Sequence, residues 1–360
     1  MSTETNRRLF ILNSLKAAGG LAAASTLGAC STFDEYLFED AFYLKDQTII
    51  VGGGISGMYL AYKLRQNKMA YRIFEGSSRL GGRIRSNKGY DYGASVYSDH
   101  DETLKSLIKE YAIPITNLDK NNFYLNNGMQ SLIDYLFEHT AGLITYRSVR
   151  LRWKLISIQK INSLFEVVFD GPKGRRTFVA KKVALAIPPN QWGSIAGLYD
   201  LPEMAAIKTW AQSVRKENTM KVILTSQQSY SLNSTVKSLS FYEDDHFEAR
   251  QVIKKNKSTS WVEIDLTPKN SQVSVEIEKI NDFIKKKMNI NFLDGRMSAE
   301  NYFDWNKIEL IQGAAFSSPI AIPDIKSSQF QVIGDFSRLD RAGTVEGALL
   351  SAIRGADYLL

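Results

Sequence analysis

The alternation of apolar and polar positions predicts the first secondary-structure elements after residue 46. Residues 47–51 form a short β-branched, apolar run, which is typical of a parallel strand buried on both faces. A glycine-rich segment follows, and apolar side chains then recur at helical spacing between residues 59 and 64. A second short strand is predicted over 71–74. Strand, turn, helix and strand in this order predict a parallel α/β unit.

Strand patterns return further along the chain. Alternating positions over 155–158 and 165–169 predict two strands, and the apolar run over 330–333 predicts another. Apolar residues then recur at helical spacing from Val345 to Ala356 and predict a helix with one face toward the core. At 360 residues, the chain is long enough for two domains that share an interface.

Composition and charge narrow the range of partners. The chain has 44% hydrophobic and 11% aromatic residues, as an ordinary globular protein does. The formal net charge of +7 is spread thinly, and the short cluster over 285–287 is typical of the solvated face of a helix. We therefore expect no nucleic-acid partner, because such binding needs clustered basic stripes.

Cysteine and histidine content excludes two classes of site. Cys30 is the only cysteine, so no disulfide can form within the chain. The three histidines are widely spaced and give no metal-ligand pattern. We therefore expect neither a metal site nor a cysteine nucleophile.

The first thirty residues resemble a bacterial export signal. Arg7 and Arg8 stand before an apolar stretch over 17–27, as they do in twin-arginine signals. The sequence Leu27-Gly28-Ala29-Cys30 resembles a lipobox, in which cleavage leaves a lipidated cysteine at the new N-terminus. The resemblance implies a signal over 1–30, a lipid on Cys30 and an acidic tether over 31–46.

A lipid on Cys30 would hold the protein on the periplasmic side of a bacterial membrane. Ser31, directly after the cysteine, favours the outer membrane under the enterobacterial sorting rule. The alternative is that these residues form an uncleaved or soluble N-terminal extension.

The glycine-rich segment has the spacing of a dinucleotide-binding turn. Gly52 allows a tight turn after the strand, Gly54 allows the backbone to approach a pyrophosphate, and Gly57 allows close packing of helix and strand. Ile55 and Ser56 open the helix, whose N-terminus favours anions. Because the strand and the helix flank this motif, we expect all five residues to lie at a cofactor.

Glu75 ends the second predicted strand. It lies 18 positions after Gly57, where such folds place a carboxylate on the adenosine ribose hydroxyls. A carboxylate at this position disfavours the 2′-phosphate of NADP.

The next segment favours FAD over NAD. Arg79-Leu80-Gly81-Gly82-Arg83 resembles the R-x-G-G-R element of the flavin amine oxidase superfamily. In that superfamily the glycine backbone and the last arginine contact the pyrophosphate, which implies this role for Gly82 and Arg83. An NAD-linked dehydrogenase, which has no need of the element, is therefore a remote alternative.

Other segments carry the same resemblance. Residues 90–95 resemble the D-x-G-A/G-S segment that lies along the flavin, which implies contacts from Gly93 and Ala94. Residues 127–132 are similar to the family's G-G-M-x-x-L helix start, and residues 183–189 resemble the crossover that ends its β-meander. Leu155 corresponds to a position that contacts adenine through the backbone.

The C-terminal segment resembles the family's G-D … G-x-V-E-G-A element. Gly334 and Asp335 begin it, and the resemblance implies that the carboxylate binds the ribityl chain of FAD. Val345 begins a helix whose N-terminus is expected beside the flavin, where its positive end stabilises the anionic reduced form.

The resemblance implies an α/β fold with a split domain order. A Rossmann-like FAD-binding domain, with a parallel sheet and a β-meander, is expected from residues 46–96, 143–190 and 325–360. An interleaved α+β substrate domain is expected from residues 97–142 and 191–324.

The resemblance also implies the chemistry. FAD takes hydride at N5 from a C–H bond beside nitrogen, and oxygen or another acceptor reoxidises it. Residues 220–224 resemble the strand on which amine oxidases carry a lysine that holds a water at N5, so Lys221 is the candidate catalytic residue. The alternative is a solvent-facing lysine on an amphipathic strand.

The chain departs from the amine oxidase pattern at the substrate. Thr344 and Ala315 stand where many members carry the two aromatic rings that enclose the amine, although Phe316 is adjacent. Ala314 stands where some members attach flavin through cysteine, and Cys30 is far from that site, so FAD is expected to be noncovalent. Aromatic residues at 210, 241, 242, 261 and 305 could line a cavity, although such residues more often form cores.

Three hypotheses follow. The first is an exported, membrane-tethered flavin oxidase that acts on an amine or amino acid. The second is a flavin desaturase or isomerase that acts on a hydrophobic substrate. The third is a lipoprotein that keeps the FAD fold without catalysis.

Overall fold

The computed structural model describes most of the chain after residue 46. The described ranges are 47–87, 90–140, 148–217, 219–225, 239–254, 261–269, 277–288, 302–308, 310–311, 315–318, 320–337 and 339–360. The predicted export signal, Cys30 and the tether lie outside the described residues, and so does Ala314.

The described residues form six α-helices and twenty strands. The helices are α1 (Ile55–Gln66), α2 (Glu102–Glu110), α3 (Gln130–Thr140), α4 (Ala205–Ser213), α5 (Ile277–Met288) and α6 (Val345–Leu359). The strands of the first half are β1 (Thr48–Val51), β2 (Tyr71–Glu75), β3 (Ser86–Asn87), β4 (Tyr90–Asp91), β5 (Tyr97–Ser98), β6 (Ile115–Asn117), β7 (Asn122–Leu125), β8 (Val149–Leu151), β9 (Lys154–Ile161), β10 (Leu164–Gly171), β11 (Gly174–Ala180) and β12 (Lys182–Leu185). The strands of the second half are β13 (Arg215–Glu217), β14 (Met220–Thr225), β15 (Tyr242–Glu243), β16 (Phe247–Lys254), β17 (Trp261–Pro268), β18 (Tyr302–Asp304), β19 (Ala315–Ser317) and β20 (Phe330–Val332).

A five-stranded parallel sheet forms the centre of the first domain. Its strand order is β20-β12-β1-β2-β8, and every neighbouring pair is parallel. All four residues of β1 are buried, as expected for a central strand covered on both faces. The predicted α/β fold with a parallel sheet is therefore confirmed.

The two faces of this sheet pack against different layers. Ile50 points into a core that it shares with apolar residues of α1, α3 and α6. Ile49 and Val51 point into a second core, where β9, β10 and β11 form a three-stranded antiparallel meander. The strands predicted over 155–158 and 165–169 lie within this meander.

A second, antiparallel sheet has the order β15-β16-β17-β14-β18. One face carries alternate apolar residues of β14 and β17, and they pack against Ile280, Phe283 and Ile284 of α5. The next residues along the same strands, Lys221 and Asp265, face the other way, because side chains alternate along a strand. This opposite face adjoins the cavity described below.

The three lysines at residues 285–287 are exposed in the last turn of α5, as predicted. Among the helices of the described residues, none combines the length and the apolar character needed to cross a membrane.

Candidate functional site

The turn between β1 and α1 has the geometry that its glycines predict. Gly52 has a φ of +109°, and a Cβ there would lie against the carbonyl of Ala186. A Cβ on Gly57 would lie against the carbonyl of Gly52, so Gly57 permits close packing. A Cβ on Gly54 would meet no atom within 4 Å. The backbone at Gly54 therefore borders open space.

The start of α1 offers an anion site. Gly54 is the N-cap residue of α1, and no side chain caps it. The first N–H groups of a helix have no partner inside the helix and carry the positive end of its dipole. The turn therefore presents donors to the same open space.

Glu75 ties the end of β2 to this turn. Its carboxylate accepts hydrogen bonds from the backbone N–H of Gly53 at 2.6 Å and of Ser77 at 2.7 Å. It is 9% exposed and lines the cavity described below. Both contacts fix the carboxylate beside the turn, where the predicted ribose contact requires it.

The R-x-G-G-R loop folds against the turn. The N–H of Gly81 donates to the carbonyl of Gly53 at 2.8 Å, and Gly82 adopts a φ of +56° with its backbone against Gly54. Arg79 donates to the carbonyls of Leu80, Gly82 and Ile84. Burial, and secondarily the charge of Arg85, lowers the pKa of Arg79. Arg79 therefore shapes the loop, a role that the sequence analysis did not assign.

Arg83 and Asp335 form an ion pair across 252 positions of sequence. The guanidinium of Arg83 also lies 5.2 Å from the centroid of the Phe316 ring. Phe316 is fully buried in the core and is absent from the lining of the cavity. It therefore supports Arg83 and does not supply a ring at the substrate position.

Lys221 is held at the inner end of the cavity. Its ammonium donates to Asp265 Oδ1 at 2.5 Å and to Ser95 Oγ at 3.1 Å. Because Lys221 is 2% exposed, the alternative of a solvent-facing lysine is wrong. Asp265 was not among the predicted site residues, although the alternation of apolar and acidic residues over 262–266 indicates two acids on one face of a strand.

Glu263, the second of these acids, positions the segment that contains Gly93 and Ala94. Its carboxylate accepts from the N–H of Asp91 at 2.8 Å and is fully buried. Asp91 in turn accepts from the N–H of Met129 at 2.8 Å, just before α3 begins. The antiparallel sheet and α3 thus hold this segment from two sides.

Thr344 has a structural task at the start of α6. Its Oγ1 accepts from the N–H of Gly347 at 2.9 Å and donates to the carbonyl of Arg341 at 2.7 Å. This is an N-cap arrangement. The residue in place of an expected aromatic ring therefore stabilises the helix whose first residue, Val345, lines the cavity.

Three aromatic side chains pack together beside Gly93. The Tyr92 and Phe303 ring centroids are 5.0 Å apart, and those of Phe303 and Trp305 are 4.8 Å apart. The indole N–H of Trp305 donates to the carbonyl of Tyr92 at 2.8 Å. All three line the cavity.

The other aromatic candidates do not reach the cavity. Trp210 is buried in the core and Tyr242 packs against the antiparallel sheet's core, whereas Phe241 is 58% exposed. The side chain of Trp261 lies outside the described residues. Among the aromatic candidates whose side chains the structure describes, Trp305 is therefore the one that lines the cavity.

One cavity of about 740 Å³ joins these features. The volume is within the range of small-molecule and cofactor sites. The predicted site residues that line it are Gly52, Gly54, Ile55, Ser56, Glu75, Gly82, Arg83, Gly93, Ala94, Leu155, Lys221, Gly334, Asp335 and Val345. Gly57 was expected at the cofactor but is not among the lining residues, because it packs against the Gly52 carbonyl. The open space at Gly54, beside uncapped helix donors, fits a dinucleotide pyrophosphate.

Comparisons with known proteins agree with this architecture. Residues 50–111 match the family described as NAD(P)-binding Rossmann-like domain. The chain is 27% identical over 224 residues to the FAD-dependent oxidoreductase dbaF of Emericella nidulans, covering 59% of this chain and 44% of that protein. It is 29% identical over 94 residues to protoporphyrinogen oxidase 2 of Arabidopsis thaliana, covering 23% of this chain and 18% of that protein. The chain thus spans less than half the length of these relatives.

Solved structures extend the likeness to most of the chain. A redesigned double mutant of putrescine oxidase superposes with a TM-score of 0.70 at 13% identity, over 88% of this chain and 99% of that one. The wild-type putrescine oxidase bound to putrescine gives a TM-score of 0.69 with the same identity and coverage. The chain therefore has the mixed α/β fold of putrescine oxidase, with a Rossmann-like domain built on its parallel sheet.

Proposed function

We propose that the protein is an FAD-dependent oxidoreductase that oxidises an amine or amino-acid-like substrate. The observation that carries the proposal is the single cavity that joins the β1–α1 turn to the buried Lys221–Asp265 pair. When bound, FAD supplies an acceptor for the hydride of a C–H bond beside nitrogen. The similarity to an FAD-dependent oxidoreductase and the fold of putrescine oxidase support this assignment.

The residues that would hold FAD follow the cavity. Glu75 and the backbone at Leu155 would hold the adenosine end. The uncapped start of α1 and the Gly82 backbone would receive the pyrophosphate. Arg83 would add positive charge beside the pyrophosphate. Its ion pair with Asp335 would fix the direction of the guanidinium. With Cys30 as the only cysteine, attachment through a cysteine at position 314 cannot occur, and the proposed cofactor would be held by noncovalent contacts.

The start of α6 would add a favourable field. Helix N-termini stabilise negative charge within about one turn. Glu346 lies in this first turn, but its carboxylate accepts from the backbone N–H groups of Thr103 and Leu104 at 3.0 and 2.9 Å. Its carboxylate therefore faces the start of α2, whose two N–H groups offset part of its negative charge.

Lys221 would act as a donor at the reacting end of the cavity. A protonated lysine has three N–H donors, and two of them contact Asp265 and Ser95. The third remains for a water molecule or a substrate atom in the cavity. Because Asp265 and Ser95 fix the ammonium, Lys221 would hold that molecule in one place. The electrons taken from the substrate would then pass to oxygen or another acceptor.

The test begins with the absorbance spectrum of the purified protein, before and after acid precipitation. We expect flavin bands that pass into the supernatant, and anaerobic bleaching of these bands by amines or amino acids. Readmitted oxygen should restore the bands and release one peroxide for each imine formed from the substrate. A protein that cannot be loaded with FAD would contradict the proposal. A flavin that dithionite reduces but no amine or amino acid bleaches would contradict the substrate class.

We also propose that the mature protein is a lipoprotein on the periplasmic side of a bacterial membrane, anchored through Cys30. The support is the twin arginine and the lipobox-like sequence before Cys30. The twin-arginine route carries folded proteins, so it suits a protein that must acquire FAD before export. Lipidation is tested by the variant described in the Discussion.

A further inference from the structure

More cations than acids line the cavity. Four acids line it, and each has a partner. Glu75 accepts two backbone N–H groups, and Asp101, Asp265 and Asp335 each pair with a cation. The six cations among the described lining residues are Arg79, Arg83, Arg85, Lys154, Lys221 and Arg341. The cavity lining therefore carries excess positive charge.

Four of the cations are already engaged. Arg83, Lys221 and Arg341 pair with acids, and Arg79 donates to three carbonyls. Arg85 and Lys154 are both exposed, and within the described part of the chain their side chains have no acidic or hydrogen-bonding partner. These two cations are available to a ligand.

The two available cations lie in different parts of the cavity. Lys154 is next to Gly76, whose added Cβ would lie 3.8 Å from the Lys154 Cα, and so it borders the expected adenosine end. The Arg85 guanidinium lies 5.0 Å from the Phe303 ring centroid and 5.9 Å from that of Tyr92. Phe303 is the register partner of Lys221 in the antiparallel sheet. Arg85 therefore lies on the side of the reacting end.

Cation–π contacts with the two rings restrain the position of the Arg85 guanidinium. Its N–H groups make no hydrogen bond to the described chain, so they can donate to a ligand. A planar guanidinium matches a carboxylate with two parallel hydrogen bonds. Since no protein carboxylate in the described chain occupies this edge, a substrate carboxylate can do so.

Resting on the proposed function, we infer that Arg85 binds the carboxylate of the substrate, which is therefore an amino acid or another amine that carries a carboxylate. Diamines have two positive charges and would be repelled by an unpaired guanidinium. Neutral hydrophobic substrates would offer the guanidinium no charged partner. The chain thus shares the fold of putrescine oxidase but selects a substrate of different charge.

The experiment uses matched compounds and matched variants of the FAD-loaded protein. Phenylalanine is compared with phenethylamine and lysine with cadaverine, because each pair differs only in the carboxylate. Benzoate, which cannot be oxidised as an amine, reports binding alone by calorimetric titration. Arg85→Met removes the charge and Arg85→Lys keeps it. Arg175→Met is the control, since Arg175 is exposed like Arg85 but lies on β11 and does not line the cavity.

We expect the amino acid of a pair to bleach the flavin in preference to its amine. Loss of a charge-assisted bidentate contact in Arg85→Met should weaken benzoate binding roughly 10- to 100-fold and raise KM by a similar factor. Arg85→Lys should lie between the wild type and Arg85→Met. Arg175→Met should leave both values unchanged, and FAD affinity should be the same in all variants.

Three results would overturn the inference. They are equal benzoate affinity in the wild type and Arg85→Met, a preference for the amine in each pair, and a loss of FAD affinity in Arg85→Met that matches the loss of benzoate binding. The last would assign the charge to the cofactor phosphates. If no compound bleaches the flavin, the proposed function fails, whereas the benzoate titration still decides whether Arg85 is an anion site.

Discussion

Replacing Asp265 by asparagine tests the ion pair on which the inner end of the cavity depends. The substitution keeps the shape of the side chain and removes the charge that lies 2.5 Å from Lys221 Nζ. Lys221 then remains 2% exposed without an opposite charge. Removing one partner of a buried pair costs about 3–5 kcal/mol, because the other charge stays desolvated.

The expected cost here is at the lower end of that range. The Asp265 side chain is 22% exposed, and the asparagine carbonyl can still accept a hydrogen bond. We expect Asp265→Asn to lower the free energy of unfolding by about 3 kcal/mol, which corresponds to roughly 4 °C in Tm for a chain of 360 residues. Urea and thermal unfolding at saturating FAD would measure both quantities.

The control is an exposed pair of the same kind. Asp99 lies 3.8 Å from Lys105, and both side chains are more than two-fifths exposed. Asp99→Asn should change stability by no more than about 0.5 kcal/mol. Adding Lys221→Met to Asp265→Asn should recover part of the loss, since it removes the isolated charge. An Asp265→Asn protein as stable as Asp99→Asn, or a double variant with fully additive losses, would refute the reasoning.

Three further predictions concern the cofactor, the lysine and the anchor. Gly54→Val should fold normally but lose flavin, because the valine side chain enters the open space at the turn. Gly193→Val, which also places its side chain in open space, should keep flavin, and the amount of FAD bound per protein measures both effects. Lys221→Met should slow the reaction of reduced flavin with oxygen at least tenfold more than flavin reduction in stopped-flow absorbance, and equal slowing would remove the proposed role. Cys30→Ser should move the protein from the membrane fraction to the soluble fraction, and unchanged fractionation would refute lipidation.

The sequence predicts the nucleotide turn well because its information is local. The spacing of Gly52, Gly54 and Gly57 can be read within one strand, turn and helix. The parallel α/β unit follows from the order of the strand and helix patterns around this turn. The close contact that requires glycine at position 52 is with Ala186, which follows the distant strand β12, and local pattern does not reveal that contact.

The arrangement of residues at the reacting end is harder to predict from local sequence patterns, because it depends on which strands become neighbours. Lys221 could be suggested by resemblance, but its partner Asp265 is set by the pairing of β14 with β17. The aromatic setting of Arg85 likewise needs Phe303 on β18. Register between distant strands is fixed by the packed core and not by local pattern.

Thr344 shows a different limit. Its position in the family pattern suggests a missing aromatic ring, whereas the structure gives it an N-cap contact to Gly347. Local capping chemistry could have predicted this contact, since threonine before a helical stripe is a typical N-cap. The resemblance showed that an aromatic ring is absent at position 344. It did not show that the threonine caps the helix.

The ion pair of Arg83 with Asp335 bears on when the protein can acquire its cofactor during synthesis. Asp335 follows β20, the edge strand of the parallel sheet, and lies 252 positions after Arg83, so both the sheet and the pair need residues that leave the ribosome long after the nucleotide turn. A nascent chain that ends before residue 335 has the nucleotide turn but not the carboxylate that orients Arg83. Stable loading therefore awaits the synthesis of Asp335. If residues 1–30 are an export signal, that signal must stay unused until Asp335 has closed the site.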